Sequence, residues 1–172
     1  MHGARLHGFA LLVAAGDAGR ARQAAAEALE AGAAQAARLR HPERAAAWLR
    51  RHTLLTLRRG RLGKGLSEAV RQAALAELGV GMGAYRALGQ LSLEQRAAVV
   101  ASAIEGLAPI DLETIMGAPA DRSRRLATDG LRRYLAAMAP TLPVGLAPAG
   151  PLARRIRAAA DLALGVQDGA SG

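Results

Sequence analysis

The chain is predicted to be all-α, built as two small helical domains joined by a linker, and three features of the sequence predict this. Its 172 residues are 51% hydrophobic but only 2% aromatic, so a core has to be made from Ala, Leu and Val. Ala and Leu favour helices, whereas strands favour β-branched and aromatic residues. Apolar residues recur at spacings of three and four through most of the chain, and two glycine-rich breaks, Gly60–Gly65 and Gly79–Gly83, separate an N-terminal from a C-terminal group of helices.

Taken in order, the first helix is expected from Ala4 to Ala15, stopped by Gly16-Asp17. Its apolar run Phe9–Ala15 holds only seven residues, short for a signal peptide and far from the ~20 that span a bilayer, and reads as a buried helix. A second, Ala-rich helix from Ala18 to Arg38 offers Ala21, Ala25, Ala28, Leu29 and Ala36 as a narrow apolar stripe. A third opens at His41-Pro42, where proline suits a first turn, and runs to Arg59 with Ala45, Trp48, Leu49, His52 and Leu55 on one face. The segment 60–83 reads as a linker with a short helix, Ser67 to Leu78, inside it.

The pattern sharpens beyond Ala84. Ser92-Leu-Glu-Gln95 fits a capping box, in which the Ser hydroxyl and the Gln side chain each satisfy a free backbone N–H at a helix start. That helix is expected to reach Glu105. Gly106 ends it, Pro109 opens a short helix to Met116, Gly117 makes a tight turn, and a last helix covers Asp121 to Ala137. Pro140, Pro143, Pro148 and Pro151 mark an extended spacer before a final helix from Leu152 to Leu164, whose Leu152, Ile156, Ala159 and Ala163 form an apolar stripe. The organisation is therefore 1–59, 60–83 as linker, 84–138, and 139–172 as spacer and C-terminal helix.

The formal charge is +9, which favours a polyanionic partner. Lys64 is the lone lysine, and a G+C-rich genome would also raise arginine in this way. The absence of cysteine removes disulfides, thiolate metal sites and thiol nucleophiles, and fits a reducing cytoplasm, the expected location. The histidines at 2, 7, 41 and 52 have no metal-ligand spacing. Gly60–Gly65 contains Gly-Lys but lacks the spacing and hydroxyl residue of a phosphate-binding loop, and Gly79-x-Gly81-x-Gly83 lacks the context of a dinucleotide fingerprint. No catalytic residue, metal or cofactor is expected, and the chain does not read as an enzyme.

The strongest constellation is Ala87 to Leu135: a capped helix, a short helix, a Gly-centred turn and another helix, the layout of a helix-turn-helix. Charge divides within it. The stretch to Gly117 is acidic, whereas the last helix carries Arg122, Arg124, Arg125, Arg132 and Arg133 against Asp121 and Asp129. Leu126, Ala127, Leu131, Tyr134 and Leu135 are expected to pack inward, leaving the arginines and Thr128 outward. A solvated charged face, with Arg125 and Asp129 cancelling as an i, i+4 pair, accounts for the same pattern.

These residues resemble a known family. Ala87–Val100 followed by Glu105-Gly-Leu-Ala-Pro-Ile-Asp-Leu-Glu-Thr-Ile-Met-Gly117 is similar to the C-terminal promoter-binding domain of bacterial sigma factors of the extracytoplasmic-function group, with Arg96, Glu105-Gly106-Leu107, Asp111-Leu112 and Met116-Gly117 in register. His41-Pro-Glu-Arg-x-x-x-Trp-Leu49 and Arg58-Arg59 resemble that family's polymerase-binding and promoter-melting domain. The resemblance implies a transcription initiation and regulation protein whose partners are promoter DNA and the RNA polymerase core, with an anti-sigma protein as a further candidate and no membrane partner. It implies DNA contacts from Arg122, Arg124, Arg125 and Thr128, phosphate contacts from Arg132 and Arg133, and a polymerase-facing set of Arg22, Gln23 and Glu27. The chain departs from the family in offering Gln23 and Ala26 where an Asp and a Gln are usual, Leu54-Leu55 near a usual Asn, and an altered recognition helix around Arg122-Ser123. The alternative is a degenerate relative that keeps the helical fold as a protein-interaction module without promoter recognition.

Overall fold

The computed structural model describes residues 2–35, 44–60 and 66–139, and among these the chain is all-helical, without strands. The Pro-rich spacer, the expected helix 152–164, the loop 61–65 and the expected helix boundaries at Arg38 and His41 lie outside the described residues.

Alanine sets the spacing of the first helices. α1 (His2–Val13) buries Leu6, Phe9, Ala10 and Val13, and α2 (Ala18–Gln35) lays Ala21, Ala24, Ala25 and Ala28 against its neighbours. A methyl side chain contributes little by burial, about 0.8 kcal/mol per carbon, but lets helix axes come close. Leu29, expected in this stripe, is exposed instead. The first helix also ends two residues before the expected Ala15, because Asp17 has to serve the next one: its Oδ1 accepts the Arg20 backbone N–H at 3.1 Å. The chain reverses through Ala14–Gly16, with Ala15 at φ 50°.

α3 (Ala45–Arg59) departs most from expectation. It buries Ala47, Leu49, Arg50, Thr53, Leu54 and Leu57, while Ala45, Trp48, His52 and Leu55 are only half-buried. The apolar stripe drawn from sequence is one position out, because it assigns every arginine to the solvent side. Arg50 is in the core. Its Nε and Nη2 donate to the two Glu105 carboxylate oxygens at 2.6 and 2.5 Å, Nη1 donates to the Ala46 carbonyl at 2.9 Å, and the guanidinium lies 5.6 Å from the Phe9 ring centroid. His52 stacks on Trp48 with ring centroids 3.8 Å apart. Partial burial and the neighbouring Arg51 and Arg59 cations hold the imidazole below its usual pKa.

The segment expected to be a linker is part of the packing. α4 (Glu68–Ala76), capped by the Ser67 hydroxyl, buries Leu75, and Val80 follows it into the core. The second glycine-rich break also contains the start of a helix with no counterpart in the sequence reading, α5 (Met82–Gly89), which buries Ala84, Ala87 and Leu88. α6 (Leu93–Val99) begins at the expected capping box, in which Ser92 Oγ accepts the Gln95 N–H at 3.2 Å and Gln95 Oε1 accepts the Ser92 N–H at 3.1 Å. It continues to Ile104 as a widened π turn, so its extent matches expectation while its last turn does not. That turn delivers Glu105 to Arg50. α7 (Pro109–Met116) and α8 (Ala120–Met138) complete the order, separated by Gly117 in the left-handed conformation, φ 61°.

Two guanidiniums close helix ends. Arg20 Nη2 donates to the Leu57 and Gly60 carbonyls at 2.6 and 2.9 Å, covering the C-terminus of α3. Arg96 Nε donates to Val13 O at 2.8 Å and its Nη1 to Leu91 O at 2.9 Å, joining the end of α1 to the turn between α5 and α6.

Two outcomes follow. Glu105→Ala strands a buried guanidinium and should lower the unfolding free energy by about 3–5 kcal/mol, whereas Arg50→Met with Glu105→Leu should recover most of that loss; denaturant titrations compare the three proteins. For His52, the folded state disfavours the proton, so the stability it confers is present above the unfolded pKa of about 6.5 and is lost as pH falls through that value towards the lower folded one. Thermal unfolding at about pH 7.5 and about pH 5 should show the decrease, and His52→Gln should flatten it.

Candidate nucleic-acid interface

α8 owes its position to small residues. Its inward line is Ser123, Ala127, Gly130, Tyr134 and Met138, with Leu126 and Leu131 half-buried beside it. The expected line of Leu126, Ala127, Leu131, Tyr134 and Leu135 is displaced towards its leucines, because Ser and Gly carry no hydrophobic signal. A Cβ on Gly130 would meet Val99 Cγ2 at 2.9 Å and the Gln95 backbone oxygen at 3.2 Å, so α8 crosses α6 at a separation that only glycine permits there. Ser123 returns its hydroxyl to the Ala118 carbonyl at 3.1 Å. Burial raises the Tyr134 phenol pKa to about 12, which keeps it protonated.

Gly117 has two constraints. Its positive φ favours glycine, and the Arg51 guanidinium lies where a Cβ would be, with Arg51 Nη1 donating to Thr114 O at 3.4 Å. The turn into α8 is thereby anchored on α3 as well as on α7.

The opposite face of α8 is exposed and basic. Arg122, Arg124, Arg125, Thr128, Arg132 and Arg133 are all exposed. Arg124 pairs with Asp121 at 3.6 Å and Arg132 with Asp129 at 2.5 Å, both three residues apart and both open to solvent. The anticipated Arg125–Asp129 pair is therefore replaced by Arg132–Asp129. Exposed pairs of this kind contribute little and exchange readily for another anion. Among the described residues no ion pair involves Arg122, Arg125 or Arg133.

The basic surface continues onto residues that the sequence did not single out as DNA contacts. Arg58, paired with Glu94 at 3.2 Å, shares a groove of about 480 Å³ with Arg122, Ser92 and Gly117. Arg86 shares a second groove, of about 560 Å³, with Arg133 and Gln90. Neither could be found from local spacing, since α3 and α5 reach α8 only through the tertiary fold.

The polymerase-facing set divides differently. Arg22, Gln23 and Glu27 are exposed on α2. Gln23 Nε2 donates to Glu27 Oε1 at 2.9 Å, Thr56 Oγ1 donates to Glu27 Oε2 at 3.0 Å, and both α2 residues line a shallow cleft of about 230 Å³ with Arg59. Arg22 does not join them there. Among the described residues no cluster of His, Asp or Glu is placed to hold a metal ion, and no helix is long and apolar enough to cross a membrane.

Gly130→Val should force α8 off α6 and cost about 1–3 kcal/mol. Gly8→Ala, on α1 where a Cβ meets nothing within 4 Å outside its own helix, should instead stabilise by about 0.5–1 kcal/mol; paired thermal melts test both.

Compared with protein-family models, with curated proteins and with solved structures, the chain matches none of them.

Proposed function

We propose that the chain is a sigma-like transcription factor that binds promoter DNA and the RNA polymerase core. In this reading α6, α7 and α8 form the helix-turn-helix of a C-terminal domain, and α8 enters the major groove. The N-terminal helices form a second domain that meets polymerase through the α2 surface of Arg22, Gln23 and Glu27. The observation that carries the reading is the outward face of α8, where Arg122, Arg125 and Arg133 are exposed and outside every ion pair among the described residues. Such guanidiniums suit the N7 and O6 atoms of guanine and the oxygens of phosphate. Arg122, Arg124, Arg125 and Thr128, in the first half of the helix, are the base- and phosphate-contacting set, with Arg132 and Arg133 on phosphate.

Replacing Arg122 and Arg125 together by Ala should weaken DNA binding and reduce the slope of log K against log salt by about 0.9 for every phosphate that the variant no longer neutralises. A slope unchanged from the parent chain removes α8 as the DNA-contacting element. Retention on core RNA polymerase, followed by transcription from a genomic promoter library, then separates a promoter specificity factor from a helical interaction module, which would produce no new start sites.

A further inference from the structure

A cavity of about 720 Å³ lies between the end of α1, the C-terminus of α3, α4, α5 and the start of α6. Five arginines line it, Arg20, Arg58, Arg71, Arg86 and Arg96, and Glu68 is the one carboxylate residue beside them in the lining. Glu94 pairs with Arg58 at the rim. Arg20 and Arg96 are fixed by backbone carbonyls, from Leu57, Gly60, Val13 and Leu91, and neither takes part in an ion pair among the described residues. A carbonyl orients a guanidinium but leaves its full charge in place, so among the described residues neither cation has a carboxylate in direct contact, and Glu94 offsets Arg96 only from a distance. The cost is visible at Arg96, whose pKa is lowered by burial first and then by the Arg20 and Arg71 cations. Like charges gathered in a concave, partly desolvated site are unfavourable unless an anion joins them.

The remaining walls fit an organic portion. Tyr85, half-buried, together with Leu57, Leu91 and Leu93, also lines the cavity and adds apolar surface to it. The volume falls within the ~300–1,000 Å³ usual for small-molecule sites. We infer that this cavity binds the phosphate groups of a nucleotide-sized ligand, whether a free phosphorylated compound or a nucleotide presented by a nucleic-acid backbone. None of its lining arginines is on α8, so the inference does not rest on the proposed promoter recognition. The cavity nevertheless borders that face: it shares Arg58 and Ser92 with the groove holding Arg122, and Arg86 and Gln90 with the groove holding Arg133.

The test is calorimetric titration of the full chain at low ionic strength with ADP, inorganic pyrophosphate and adenosine as probes. ADP and pyrophosphate should bind saturably at one site per chain, and adenosine should not. Arg86→Gln and Arg71→Ala should each weaken ADP binding about tenfold or more, the loss expected for a charge-assisted contact. Arg122→Ala with Arg125→Ala should leave ADP binding unchanged. Arg86 is exposed, so its variant should keep the parent's helical signal and melting point and guards against misreading an unfolded protein. Competition with duplex DNA identifies the source. Displacement of ADP, together with weaker DNA binding by Arg86→Gln, supports a site for backbone phosphate; ADP retained beside bound DNA supports a site for a free compound. The inference is overturned if neither phosphate probe binds and Arg86→Gln leaves DNA affinity unchanged. It is equally overturned if adenosine binds as well as ADP, or if both cavity variants bind ADP like the parent. Loss of DNA binding in the α8 variant with ADP binding intact would leave the cavity standing and bear on promoter recognition alone.

Discussion

Arg50 carries a charge into a core made mostly of alanine, leucine and valine, and the molecule is arranged around satisfying it. The cost of removing a guanidinium from water is several kcal/mol, and the pairing with Glu105 offsets it only because the geometry is bidentate and a carbonyl and an aromatic face take up further parts of the group. That requirement fixes the end of α6. A regular last turn gives way to a π turn, Gly106 follows with positive φ, and the carboxylate arrives beside α3. A hydrophobic pair of similar volume would serve stability as well, so the specific contribution of the ion pair is register: it joins α3 to the end of α6 in one arrangement.

The same logic governs the other arginines. Alanine-rich helices pack closely but leave their ends without large side chains to cover them, and a long side chain with several donors reaches what an alanine cannot. Arg20 closes α3, Arg96 joins α1 to the α5–α6 turn, and Arg51 holds the turn before α8. The high positive charge is thus partly architectural. The guanidiniums not so engaged include those exposed on α8, beside which Arg58 and Arg86 line the adjoining grooves. A coding bias explains why arginine is available in quantity; it does not explain why some guanidiniums are committed to carbonyls while α8 carries five exposed ones.

Features set by neighbours in sequence were legible. The Ser92–Gln95 box, Pro109 at a first turn, the Gly117 reversal and the extent of α8 are decided within a few residues, and the structure has them where the sequence predicts. The exposure of the α8 arginines also followed from helical spacing. What failed depended on distant partners. Arg50 meets a carboxylate 55 residues away and Arg96 a carbonyl 83 residues away, and no local pattern marks a charged residue as buried. α5 was concealed by the glycines at its start, since Gly81 and Gly83 read as breakers although Gly81 serves as an N-cap. Composition alone marks 60–83 as a linker, and it gives no sign that Leu75, between the two glycine-rich breaks, and Val80, inside the second, are buried.

The rotation of α8 decides which of its arginines can be used, and that rotation is set on the buried side. Ser123, Ala127 and Gly130 share one face, and their small volume brings that face against Val99 and Gln95 of α6. Larger residues at those positions would displace the helix outward or turn it until the flanking leucines filled the contact. With the inward line fixed, helical geometry sends Arg125 and Arg132 to the opposite side and places Arg122 and Arg133 on one flank, about 16 Å apart along the axis. That flank is where α3 and α5 bring up Arg58 and Arg86. A glycine with no chemistry of its own therefore determines whether four arginines from three helices share one flank or lie on unrelated surfaces.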